Sequence, residues 1–141
     1  MLPLVTALVA AHVLANVVWI GALLAECLLL GRARFMADGA EIGGLARRVH
    51  TRLAVPAFVS SLAFGFARIA DDPRLYLHLP WMHVKLAFAA GVIVLHHVIG
   101  ARSRRVAGGA LQEGSGGPFI GAVVFLCAAI AVLLGVAKQL P

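Results

Sequence analysis

Charge is scarce in these 141 residues, at 13%, and acidic charge scarcer still, with six Asp and Glu against twelve Lys and Arg. So few charged groups cannot clothe a soluble protein that is 62% hydrophobic, and the mean hydropathy of +0.97 points to lipid as the natural solvent. Cysteine is nearly missing as well. Cys27 and Cys127 lie within or at the ends of apolar stretches, which excludes a disulfide framework and a Cys-based zinc site and leaves both as packing residues. Three methionines, Met1 among them, make no Met-rich copper repeat. The glycine-rich stretches Ala37–Gly44 and Gly108–Gly117 carry no phosphate-binding pattern and read as connectors.

What is abundant is long apolar sequence. Three short polar clusters divide the chain into four apolar segments, Pro3–Leu30, Leu53–Ala70, Trp81–Gly100 and Pro118–Ala137. Each is close to the ~20 residues that cross a hydrocarbon core of ~30 Å. The expected fold is therefore all-α: a single transmembrane domain, residues 1–141, built as a four-helix bundle. The first segment lacks the basic head and short apolar core of a signal peptide. Leu24-Ala25-Glu26-Cys27 imitates a lipoprotein cleavage box, but Glu26 stands where a small residue is needed, so the segment is read as retained.

Basic residues set the expected orientation, because short loops rich in Lys and Arg stay in the cytoplasm. Arg32, Arg34, Arg47, Arg48 and Arg52 follow the first segment, and Arg102, Arg104 and Arg105 follow the third. The opposite side offers mainly Arg68, Arg74 and Lys138. Both termini are expected on the outer, periplasmic side of a bacterial inner membrane. This asymmetry, with anionic head groups as its counterpart, accounts for the net charge of +6. Nucleic acid is not expected as a partner, since the arginines have neither interleaved aromatics nor a soluble domain to carry them.

Chemistry then falls to the polar residues carried into lipid, where an ionisable group is costly enough to need a reason. In the first segment His12, Asn16, Trp19 and Glu26 fall within about 80° of one another at ~100° per residue. In the third, Trp81, Lys85 and His96 fall within about 60° on the same projection. His83 and His97 form a separate pair on a face turned away from His96. In a bundle such polar stripes turn inward. Glu26 is expected to be neutral or paired with an arginine of the first loop, because an isolated carboxylate near the membrane boundary is costly. Plainer roles compete: Trp81 as an interface aromatic, Lys85 and His83 reaching the head-group layer, His97 at the membrane edge, and His50 and His78 as solvated loop residues. For His12 the plainer role is a structural hydrogen bond to a neighbouring helix.

Neutral imidazole ligates haem iron and also binds copper. An apolar bundle accepts a flat porphyrin whose propionates Arg or Lys can pair, so haem is the favoured cofactor and copper the alternative. In this scheme His12 and His96 are the metal ligands, with His83 as substitute for His96. By counting, His12 lies ~14 Å and His96 ~22 Å from the outer ends of their helices at 1.5 Å per residue, a mismatch of about 8 Å.

Ala11-His12, Trp19-Ile20-Gly21, Arg47-Arg48, Arg52-Leu53 ahead of Pro56-Ala57, and Trp81-Met82-His83-Val84-Lys85-Leu86 with His96 downstream resemble a known pattern. It is that of the HemJ-type protoporphyrinogen IX oxidases and the related CopD-like copper-resistance membrane proteins, and it extends over nearly the whole chain. The resemblance implies a haem b site at His12, with important roles for Trp19, Trp81, Lys85 and His96, and Asn16 joins the cofactor-binding residues. It implies oxidation of protoporphyrinogen IX, with Lys85, Arg48, Arg52 and Trp19 as the catalytic candidates, Arg48 or Arg52 meeting substrate carboxylates. The implied partners are lipid, porphyrin or haem, a quinone or other membrane electron acceptor, and further copies in a homo-oligomer. Ala25-Glu26-Cys27-Leu28 and Gly116-Gly117-Pro118 depart from the HemJ pattern, which keeps a copper-handling role of the CopD-like kind as the alternative.

A reporter fused after Lys138 is expected to be active on the outer side of the membrane. A cytoplasmic signal there would reverse the orientation without changing the number of spans.

Overall fold

The computed structural model describes residues 2–137, so Lys138 lies outside the described residues. Helices α1 (Leu2–Ala33), α2 (Gly39–Val49), α3 (Val55–Asp71), α4 (Pro73–Leu77), α5 (Pro80–Ala107) and α6 (Gly117–Ala137) follow one another, and no strand occurs among the described residues. A π-helical turn, His50–Ala54, joins α2 to α3, and a 3₁₀ turn, Leu111–Gly114, precedes α6. Four stretches are long and apolar enough to cross a membrane: Leu4–Ala33, Gly39–Asp71, Pro80–Ala107 and Leu111–Leu134. The protein is therefore all-helical, of the integral-membrane type.

Proline places several of the boundaries. Pro80 and Pro118 stand in the first turns of α5 and α6, where the missing N–H has no intrahelical partner to lose. Pro56 is different, because helix already precedes it. A proline ring at that point clashes with the carbonyl four residues back, and the chain responds by widening. The Val55 N–H reaches the His50 carbonyl five residues behind it, so the π turn lets helix continue through the proline.

This continuity corrects the expected boundaries. The second span begins at Gly39 rather than Leu53, which makes most of the Ala37–Gly44 connector helical, and the third runs on to Ala107 rather than stopping at Gly100. The cause is burial of small residues on an arginine-bearing amphipathic helix: Gly39, Gly43 and Ala46 of α2 are buried, and α2 packs on α1 and α5 while its arginines lie toward its other faces.

Helix α1 packs along α3 and α6 and also meets α2 and α5, so it is the common neighbour of the bundle. Trp19, Leu23, Cys27, Leu30 and Ala33 of α1 join Ala46, Ala54, Ala57, Val92, Ile99, Val106 and Val124 in one buried core. That core lies toward the arginine-bearing turns. Nearer the start of α1, Leu4, Val13, Leu14 and Val17 face outward, as suits a surface solvated by acyl chains.

Burial separates two leucines of the same helix. Leu23 is fully enclosed whereas Leu14 is 66% exposed, so Leu23→Ala is expected to cost about 2–5 kcal/mol and Leu14→Ala far less. Denaturant titration in mixed micelles compares the two, and equal losses would contradict this packing.

Candidate functional site

Two polar clusters occupy the interior, at different depths. The first joins α1 to α3. The ring of His12 bonds through Nδ1 to the Ser61 carbonyl oxygen at 2.9 Å. A carbonyl only accepts, so Nδ1 carries the proton and Nε2 holds the lone pair. The Asn16 amide donates to that Nε2 at 3.0 Å and to the His12 carbonyl at 2.9 Å. The Ser61 hydroxyl in turn donates to Asn16 Oδ1 at 2.9 Å, closing the loop of bonds. Gly65 supplies the room: a Cβ there would lie 3.1 Å from the His12 ring. Lys85 of α5 is near enough for its charge to interact with His12.

The second cluster sits nearer the arginine-bearing turns and is more deeply buried. Trp19 donates its indole N–H to His96 Nδ1 at 3.3 Å. An indole N–H only donates, so the neutral His96 ring keeps its own proton on Nε2. His50 stacks on His96 with ring centroids 4.7 Å apart and planes inclined by 27°. Phe58 packs against His96 on another side, also at 4.7 Å, and His97 meets it edge-on at 5.2 Å. His50 Nδ1 lies 3.0 Å from Glu26 Oε2, and Glu26 is wholly enclosed. Its second oxygen, Oε1, is buried with no hydrogen-bond partner among the described residues.

His50 reaches this position through two features of the chain. The π turn that begins at His50 re-registers the helix that carries it. On α5, Gly100 then leaves the space its ring fills, since any Cβ at that position would collide with the imidazole.

The expected site residues are thus divided. His12 and Asn16 share the first cluster, Trp19 and His96 the second, and among the described residues no hydrogen bond or ring contact joins the two histidines. His12 packs at the level of Gly65 and His96 at the level of Phe58, seven residues apart on α3 or ~10 Å at 1.5 Å per residue. That agrees with the depth mismatch counted from the sequence. Trp81 and Lys85 are half-buried, each with a partner of its own. His83 is exposed, and its Nδ1 lies 3.2 Å from the Leu79 carbonyl of its own helix. Arg48 is exposed. Arg52 lines a groove of about 380 Å³ between α1 and α3, with Ala11, Ala15, Ala57, Ser60 and Phe64 among its walls.

Two expectations are corrected here. His50 is a buried member of the cluster rather than a solvated loop histidine, and Glu26 pairs with it rather than with an arginine of the first loop. Pro56 was the sequence signal, since a proline six residues after His50 in a helix forces the local widening described above.

Among the described residues no group of three or more His, Cys, Asp and Glu side chains is arranged to hold a metal ion. A paired His12–His96 ligation does not fit this arrangement. Single ligation by His12 does, because a backbone carbonyl on Nδ1–H is the support a ligating Nε2 ordinarily has, and the Asn16 amide alone occupies that lone pair. No protein-family model matches the chain, and no curated protein or solved structure matches it significantly.

Glu26 offers a direct check on the buried pair. Glu26→Lys, which puts a cation beside the His50 ring, is expected to cost about 3–5 kcal/mol of bundle stability. Glu26→Gln, whose amide still meets His50, is expected to cost much less. Equal loss of folded protein in the two variants would refute the pairing.

Proposed function

We propose that this chain is a haem b-binding redox protein of the HemJ/CopD-like group, lying in the inner membrane of a bacterium with both termini outside. Its activity is electron transfer from a reduced apolar substrate, protoporphyrinogen IX being the class the resemblance implies, to a quinone or similar acceptor in the bilayer. The single observation that carries the reading is an imidazole inside the membrane span whose Nδ1–H is fixed by the Ser61 carbonyl and whose Nε2 lone pair meets only a side-chain amide. When bound at His12, haem supplies one-electron chemistry that the side chains of this chain lack.

The chain's own residues bind and orient. Ser61 fixes the tautomer of His12, and Asn16 must turn its amide away from Nε2 for a ligand to take that position. The groove between α1 and α3 has Ala11 and Ala15 on one wall and Ser60 and Phe64 on the other; His12 itself is not part of its lining. Its apolar walls suit a porphyrin ring, and Arg52 can form a charge-assisted pair with a carboxylate at its edge. Lys85, on α5, adds positive potential near His12. Leu14, Val18 and Phe64, which also line the groove, would keep water away from a group held there. Trp19 and His96 belong to the second cluster, about two helical turns from His12 along α3, and so lie outside a site built on His12. Trp81 packs at the start of α5, at the same end of the bundle as Lys85.

An optical spectrum of protein purified without added haem tests the reading. A Soret band that shifts on reduction is expected, lost in His12→Ala and kept in His83→Ala and His96→Ala. Full haem content in folded His12→Ala protein would overturn the assignment, and copper in metal analysis without a Soret band would replace it with the copper-handling alternative.

A further inference from the structure

We propose that Glu26 and His50 form a proton-binding site inside the bundle, loaded through His50 from the face that carries the arginine-bearing turns. This rests on the second cluster alone and holds whether or not the chain binds haem at His12.

The pair has one enclosed end and one open end. Glu26's side chain is 0% exposed and that of His50 11%, so the imidazole is the less enclosed member of the pair. One hydrogen bond, His50 Nδ1 to Glu26 Oε2 at 3.0 Å, joins the two groups. The pair has two forms that differ by one proton: an imidazole N–H beside a carboxylate, or a carboxylic O–H beside the bare Nδ1 with the ring proton on Nε2. A proton reaching His50 Nε2, the ring edge that lies in the gap left by Gly100, and the departure of the Nδ1 proton to Oε2 convert one state into the other. The N–H bond at Nε2 forms, that at Nδ1 breaks, and an O–H bond forms on Glu26. One proton is taken up, no electron moves, and the imidazole ends neutral.

Neighbouring groups make the step possible. Stacking on His96 holds the His50 plane, Trp19 holds His96, and the gap left by Gly100 admits the ring. The titratable and charged groups around the pair are Cys27 on α1, His96, His97 and Arg102 on α5, and Arg47, Arg48 and Arg52 on the turns flanking His50. Among the described residues Glu26 pairs with His50 and with no arginine, and its Oε1 is left without a partner. A purely structural ion pair buried this deeply is expected to satisfy both oxygens, so the orphan oxygen favours a carboxyl group that is neutral in part of its cycle.

Infrared spectroscopy of the full chain in lipid vesicles reads this directly. As pH is lowered stepwise, one carboxylic C=O band is expected to grow. Glu26→Gln should abolish it. Glu26→Asp should shift it in frequency, which identifies the band even if the Gln variant folds poorly. His50→Gln retains an N–H toward Glu26 but cannot relay a proton, and should slow the band's rise after a pH jump by about a hundredfold. The proposal is overturned if no band responds to substitution at Glu26, or if His50→Gln protein loads at the wild-type rate.

Discussion

Hydrocarbon offers no hydrogen bonds, and that constraint governs how this chain spends its few polar side chains. Every donor and acceptor taken into the bundle must be met by another part of the protein. The first cluster meets this demand with a closed loop, in which the Ser61 carbonyl, His12, Asn16 and the Ser61 hydroxyl satisfy one another across α1 and α3. The same bonds that tie two helices together also decide which nitrogen of His12 carries a lone pair. Structural necessity and chemical preparation coincide there, since a ring fixed for packing is also a ring of known tautomer.

The second cluster satisfies the demand less completely, and the difference begins with one proline. Pro56 cannot sit in an unbroken α-helix, so the turn before it widens and His50 begins the widened turn. Without that change the arginine-bearing α2 and the apolar α3 would continue on one regular register. With it, an imidazole enters a layer already occupied by His96, Trp19 and Phe58. Gly100 is the reciprocal feature on α5, a missing side chain where the ring needs volume. Two local peculiarities on separate helices are thus one interaction seen from both sides.

Much of the architecture was legible from composition, because long apolar runs have one stable solution in lipid. Four spans could be counted, and the inward polar stripe of α1 was correct for His12, Asn16, Trp19 and Glu26, all of which enter the two clusters. Helical projection works when a helix is regular, and α1 is one uninterrupted helix from Leu2 to Ala33. It fails across an irregular turn. His50 looked like a loop residue because Arg47, Arg48 and Arg52 surround it, and charge density conceals a helix whose buried face is made of Gly and Ala. Projection also says nothing of depth, so His12 and His96 shared an inward direction while lying about two turns apart along α3. The partners of Glu26 could not be read at all, since they depend on how α2 packs beneath α1.

Separation of the two clusters has its own physical consequence. A redox centre near His12 and a proton site at Glu26 would lie in different layers of the bundle, with Trp19 on the helix between them. In an apolar interior an electron added in one layer raises the energy of negative charge in the other, because Coulomb interactions are weakly screened there. A carboxylate that can take a proton lowers that cost by removing its own charge. Coupling of this kind needs no conformational change and no continuous chain of bonds between the layers, only that both charges share the same poorly polarisable medium. The uninterrupted α1 that carries His12, Trp19 and Glu26 would set the distance over which such coupling acts. Were a redox centre to sit at His12, Glu26, one of only six acidic residues and sealed at this depth against a histidine, would be the group placed to balance its charge inside the bundle.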